Sequence, residues 1–163
     1  MHEPHAEISG LLHSFRSIID VAGEIELVDG ERQITASAVK VVSTGNQLPR
    51  PFNMRGRAIG GVDFNEHTPG VYNGEGPNNL GLYIMTWGKV TYTGGEGDDF
   101  FYANPGTFLR DGSGYVGVKI RCRPELKPTV GSTVIVTGIS SCEPLDENSI
   151  RRVLATQVLE YSQ

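Results

Sequence analysis

The stretch from Gly81 to Thr93, GLYIMTWGKVTYT, decides the fold. Its β-branched and aromatic residues read as one long strand, and Gly88 inside it suits the bulge or coil that lets a single strand serve both halves of a small barrel. Reading outward, Gly94-Gly95-Glu96-Gly97 makes a turn and Asp99 to Ala103 (DFFYA) a second strand. Tyr115 to Arg123 reads as a third strand, Ser132 to Ser140 as a fourth and Arg151 to Tyr161 as a fifth. A long coiled strand, a hairpin partner, a third strand, a connection and a closing pair follow one another in the order of a five-stranded OB-type Greek-key barrel. Where such barrels usually carry a helix, only Pro124-Glu125-Leu126-Lys127-Pro128 stands.

Upstream the pattern changes twice. Pro4 followed by Ile8, Leu11, Leu12 and Phe15 has the spacing of one face of a short helix. From Ser17 the period becomes two, and Val28-Asp29-Gly30 turns the chain into a return strand from Gln33 to Ser43, a β-hairpin. Residues 44–80 are then broken by glycine and proline. Phe52, Met54, Ile59, Val62, Phe64, Val71 and Tyr72 make this segment too apolar for a solvated linker, so it is expected to wrap along the barrel or a neighbour. The expected organisation is a helix and hairpin over 1–43, a wrapping segment over 44–80 and a barrel over 81–163.

The hairpin repeats part of the barrel. With Ser17 on Ser132, SIIDVAG (17–23) aligns with STVIVTG (132–138). After four extra residues in the second copy, RQITASAVKVVS (32–43) aligns with RRVLATQVLEYS (151–162). Gly23 meets Gly138, Arg32 meets Arg151, Ala36 meets Ala155 and Val39 meets Val158. The first hairpin therefore reads as the closing pair of a second OB unit without its first three strands. A hairpin alone is marginal and exposes edges that invite pairing. Its cover comes from the barrel of the same chain, from another chain, or from a further segment.

Composition agrees with an all-β reading. Glycine supplies 21 of 163 residues and proline nine, with 38% apolar and 20% charged, which excludes a helical bundle. Fourteen basic against nineteen acidic residues leave a net charge of −5, which disfavours a sequence-independent grip on nucleic acid. No apolar run approaches the ~18 residues of a membrane span, and residues 1–15 lack the basic leader and apolar stretch of a secretory signal.

Several segments resemble the tandem OB-like repeat modules of large bacterial surface and secreted proteins. They are Asn78-Asn79-Leu80-Gly81-Leu82, Thr86-Trp87-Gly88-Lys89-Val90-Thr91, Phe100-Phe101-Tyr102, Leu109 with Asp111-Gly112-Ser113-Gly114, and Val136-Thr137-Gly138-Ile139-Ser140-Ser141. The likeness extends back through Asp29-Gly30-Glu31-Arg32, Ile34-Thr35-Ala36-Ser37 and Gly60-Gly61-Val62-Asp63-Phe64, so it covers roughly residues 17 to 161. It implies the fold and an extracellular or cell-surface setting, and no established activity. In such modules the hairpin would close a preceding repeat.

Candidate chemistry is sparse. Gly112-Ser113-Gly114-Tyr115-Val116-Gly117 matches G-x-G-x-x-G, but it enters a strand and offers phosphate no helix terminus. The histidines at 2, 5, 13 and 67 form no nucleophile and base pair, and His2 with His5 lacks a third fixed nitrogen for copper. Asp98, Asp99 and Asp111 offer hard oxygen donors for Ca2+ without a defined binding loop. Cys122 and Cys142 permit one disulfide, or serve as two small apolar residues kept reduced. Tyr83, Trp87, Tyr102 and Tyr115, with Arg121 and Arg123, lie on strands that form the usual ligand face of an OB barrel, where rings stack on sugars or bases.

The expectation is a non-catalytic structural module that assembles with copies of itself or neighbouring repeats, head to tail in a fibre or surface array. Ile19, Val21, Ile34, Val39 and Val41 of the hairpin, with Phe52 and Phe64 of the wrapping segment, would carry the contact. The rival is a monomeric binding module for carbohydrate or single-stranded nucleic acid.

Overall fold

A computed structural model describes residues 16–161. The helix expected over Pro4 to Phe15, and His2 and His5, lie outside the described residues. The chain divides into two compact units, one built on residues up to Glu26 and Gln33–Pro49, the other on Leu27–Arg32 and everything from Arg50. This division differs from the expected boundaries after residues 43 and 80. The tip of the hairpin and most of the wrapping segment belong with the barrel, because their buried groups are satisfied there.

The first unit is the stem of a two-stranded antiparallel ribbon, β1 (Ile18–Val28) and β2 (Glu31–Ser43). Asp29 and Gly30 join the strands with φ of 52° and 83°, the left-handed pair that a two-residue hairpin loop requires. At the other end Asn46 donates its backbone N–H and its side-chain amide to the Arg16 carbonyl, at 2.8 and 2.9 Å, closing the ribbon where the period-two pattern stops.

The second unit is a closed barrel of five strands, β4 (Tyr83–Thr93), β5 (Phe100–Asn104), β6 (Val118–Arg121), β7 (Thr133–Leu145) and β8 (Asn148–Tyr161). The long first strand pairs with β7 over Tyr83 to Lys89 and with β5 over Lys89 to Thr93. Gly88 sits at that crossover, buried, with an added Cβ only 2.8 Å from the Asn104 carbonyl carbon. The bulge itself falls between Val90 and Tyr92, not at Gly88. β5 pairs with β6, β6 runs parallel to β8, and β8 returns antiparallel to β7. This closure is that of an OB-type barrel. The connection between β6 and β7 is a single 3-10 turn at Pro124–Leu126, as the proline-bounded segment implies.

Alternation points Ile84, Val90, Phe101, Ala103, Val118, Ile120, Val134, Val136 and Val153 into one core, which Ile59 and Leu109 complete from outside the strands. Ile59 belongs to the wrapping segment, which is laid along its own barrel from Arg50 onward. Its first contact is β3 (Phe52–Asn53), parallel to β4. The buried amide of Asn79 then ties it down, donating to the carbonyls of Ala58 and Pro77 at 2.6 and 3.0 Å and accepting from the Gly60 N–H and the Ser140 hydroxyl at 2.9 and 2.7 Å. The glycine density of the segment has a spatial cause: a Cβ on Gly61 would lie 2.2 Å from the Pro77 carbonyl oxygen.

Candidate assembly surface and the ligand face

The stem and the β7–β8 hairpin share construction details that composition alone does not require. A Cβ on Gly138 would fall 2.3 Å from the Leu154 carbonyl oxygen, and one on Gly23 would fall 2.2 Å from the oxygen of Thr35, the residue aligned with Leu154. One residue past each glycine's partner, a hydroxyl returns across the ribbon. Thr156 Oγ1 donates to the Thr137 carbonyl at 3.1 Å and Ser37 Oγ to the aligned Ala22 carbonyl at 3.2 Å. In β7–β8 this is the site of a bulge, between Thr137 and Gly138. Both hairpins turn at an Asp in left-handed backbone, Asp29 and Asp146, each with φ of 52°. The four extra residues are shared two to an arm, so the longer hairpin keeps the cross-strand register of the shorter.

The two hairpins differ in what covers them. Val134, Val136 and Val153 are completely buried in the barrel core and Val158 packs against it. The matching residues of the stem, Ile19, Val21, Ile34 and Val39, are 48%, 39%, 54% and 37% exposed. Transferring the β7–β8 register to the stem sets Val21 opposite Val39 and Ile19 opposite Val41 on that face. The other face receives Ile18 opposite Val42, Asp20 opposite Lys40 and Ala22 opposite Ala38. One face is thus wholly apolar, and the other differs from it by the Asp20 and Lys40 charge pair between the apolar pairs at Ile18 and Ala22, which favours the first as the core-facing side. Phe52 and Phe64, the remaining expected assembly residues, are exposed in the second unit.

The expected ligand face is not assembled as one surface. Tyr83 and Trp87 lie where β4 pairs with β7, with Trp87 opposite Ile135. Tyr102 lies on β5 and is 1% exposed, which corrects its assignment as a stacking platform. Tyr115, from the loop ahead of β6, packs on Tyr102 at 4.8 Å between ring centroids and on Tyr92 at 4.1 Å. Phe100 meets Tyr102 edge-on, and Lys119 Nζ sits 4.6 Å over the Phe100 ring. Burial raises the Tyr102 hydroxyl to a pKa of about 12. Arg121 is paired with Asp99 at 2.6 Å and Arg123 with Glu125 at 3.2 Å. Tyr102, Tyr115, Arg121 and Arg123 are thus engaged within the chain, whereas Trp87 remains half-exposed.

The three aspartates do not converge. Asp98 accepts the Gly95 N–H at 2.7 Å, Asp99 is held by Arg121, and Asp111 is buried, accepting the Ser113 N–H and hydroxyl at 3.1 and 2.6 Å. No three His, Cys, Asp or Glu side chains among the described residues are grouped as a metal site would be. Of the two alternatives for Cys122 and Cys142, the structure has the reduced one: both are free and buried. Cys122 belongs to the barrel core, whereas Cys142 lies under the hairpin tip, its N–H donating to Glu31 Oε1 at 3.1 Å. Burial pushes both thiols up to about 11.

Sequence reasoning missed two polar features. Arg151 is fully buried and donates to the carbonyls of Ile59, Tyr72 and Asn73 in the wrapping segment, at 3.4, 3.0 and 3.0 Å. Burial lowers its pKa, and Asp111 opposes the shift. Its alignment with Arg32, which donates to the His67 carbonyl at 2.7 Å, was the available signal. The second is a run of alternating charge, Lys119, Glu143, Arg152 and Glu31, which brings the hairpin tip onto β6, β7 and β8. No periodicity marks it, since its members are far apart in sequence.

No family model, curated protein or solved structure matches this chain. Among the described residues no helix is long and apolar enough to cross a membrane.

Proposed function

We propose that this protein is a structural assembly module, a complete OB-type barrel that joins other β structure through the apolar face of its β1–β2 stem. The observation that carries this reading is the exposure of Ile19, Val21, Ile34 and Val39, whose counterparts in the second hairpin are core. Fully burying one valine or isoleucine contributes about 1.5–3 kcal/mol. Covering these four side chains, each about half-exposed, therefore contributes about 3–6 kcal/mol, the lower end of the ~5–15 kcal/mol that holds a whole domain together. A receiving surface unlike the stem would make the contact heterologous and join units in a row instead of closing them in pairs. The ligand-binding alternative has less support, because Tyr102, Tyr115, Arg121 and Arg123 are engaged with other residues of the chain.

The test is sedimentation velocity over a hundredfold range of concentration, with binding of an apolar dye, on the unaltered chain and on Val21→Lys/Val39→Lys. The unaltered chain is expected to bind dye and to associate weakly through its uncovered stem, and the double variant to do neither while its barrel unfolds at the same temperature. Equal dye binding and equal association by the two proteins would remove the stem from any assembly role.

A further inference from the structure

Resting on the assembly reading, we infer that the partner of the stem is a three-stranded antiparallel segment built like β4, β5 and β6, and not a second copy of this chain. The matched glycine contacts, hydroxyl bonds and turns show that the stem is made as a closing hairpin is made. What covers a closing hairpin is visible in the second unit. One edge of β7 takes β4, from Tyr83 opposite Ile139 to Lys89 opposite Thr133, antiparallel. The free edge of β8 takes β6 in parallel, with Lys119, Ile120 and Arg121 opposite Arg152, Val153 and Leu154.

Carried onto the stem, those registers specify the partner. Its first strand runs antiparallel to β1 along Ile18 to Glu24, and its third runs parallel to β2 along Gln33 to Thr35. Its middle strand joins the other two and touches neither stem strand. Its inward side chains are apolar at every second position, as Ile84, Phe101, Ala103, Val118 and Ile120 are in β4–β6, and they close over Ile19, Val21, Ile34 and Val39.

A second copy does not meet this specification. In each copy β4 already pairs with β5 and β7, and β6 with β5 and β8, so no edge of the three strands is open. Two stems packed face to face would cover their apolar sides but leave the outer N–H and C=O groups of β1 and β2 without strand partners. Only a segment with two open edges satisfies the face and both edges together.

The probe is the full chain extended ahead of residue 1 by a second copy of residues 78–123, which supplies three such strands. Amide exchange at Ile18–Glu24 and Gln33–Thr35 is expected to slow by about a hundredfold or more against the unextended chain. Register is read by oxidation in a Cys122→Ala/Cys142→Ala background. Ala22→Cys should cross-link to Met85→Cys of the added copy, and Val21→Cys, whose side chain lies on the other face, should not. A second arm needs no added strands. Thr133→Ile, Val134→Ile, Ile135→Asp and Thr137→Ala together write the stem sequence into β7, and the unextended chain should still unfold cooperatively by Trp87 fluorescence.

An extended chain whose stem exchanges as fast as before, or a β7 replacement that does not fold, overturns the inference. So does a stable dimer of the unextended chain whose stem is as protected as in the extended one, which would make the occupant a second copy and leave the assembly reading standing. The assembly reading itself falls on the separate lysine-variant comparison.

Discussion

The Arg151 guanidinium reaches the Tyr72 carbonyl at 3.0 Å, joining the inward side of β8 to the middle of the wrapping segment. The same group holds Asn73 and Ile59, so one fully buried side chain donates to three carbonyls. Arg151→Met keeps much of the volume and removes every one of these bonds. Loss of a buried charged donor costs about 3–5 kcal/mol when its partners are left behind. The midpoint of urea unfolding should fall accordingly, and limited proteolysis should cut within residues 62–72 before the barrel is cleaved. Arg151→Lys should recover less than half of the loss, since one ammonium cannot span carbonyls at both ends of that segment.

The matched glycines give a paired prediction. At Gly138 a methyl group meets the Leu154 carbonyl oxygen at 2.3 Å, backbone against backbone, with no side chain free to move away. Gly138→Ala should therefore destabilise the barrel by about 2–3 kcal/mol. Gly23→Ala meets the same obstruction in the stem. It should leave the barrel's thermal midpoint, followed by Trp87 fluorescence, within about 0.5 kcal/mol of the unaltered chain. An equal loss at both positions would mean that stem and barrel unfold as one cooperative body.

The two thiols predict an alkaline limit. Their folded pKa of about 11 lies above the ordinary 9.0, because burial disfavours the thiolate. The folded chain then binds more protons than the unfolded one between pH 9 and 11. Stability is fully present below pH 9 and is lost as the pH rises through that window, by about 2–3 kcal/mol per thiol. Cys122→Ala/Cys142→Ala should flatten the slope, measured as unfolding free energy against pH. In the native chain at pH 8 neither thiol should react with an aromatic disulfide reagent until denaturant is added.

The parts of the fold that rest on local pattern were legible. Period-two stretches around Ile84, Phe101, Ile120, Val134 and Val153 place every barrel strand, and Gly23 with Gly138 exposes the repeat. What was not legible depends on contacts between distant residues. Tyr102 has the composition of a ligand platform, and only the loop that brings Tyr115 over it shows that it is covered. Cys122 and Cys142 lie in different surroundings because one faces the core and the other the tip at Asp29 and Glu31. Arg151 lies in the alternation of β8 on the core side, where a charged residue is improbable by type. The three carbonyls of the wrapping segment aimed at it, together with the nearby Asp111 carboxylate, make that position possible.

The charge run at the hairpin tip yields the last prediction. Glu143 pairs with Lys119 and, at 3.3 Å, with Arg152, whose other neighbour is Glu31 at 3.7 Å. Their side chains are no more than a fifth exposed, so water screens them poorly. Glu143→Gln preserves shape and some hydrogen bonding but leaves two cations facing a single remaining carboxylate. A loss of about 1–3 kcal/mol is expected. Lys119→Met alone removes the ring contact to Phe100 as well as the ion pair. The double variant should lose about 1–2 kcal/mol less than the sum of the two, the signature of a shared interaction. The coupling should survive 0.5 M salt, whereas an exposed pair such as Arg57 with Glu75 should show little coupling at any ionic strength. Strict additivity in the Glu143 and Lys119 cycle would show that the run is not energetically joined.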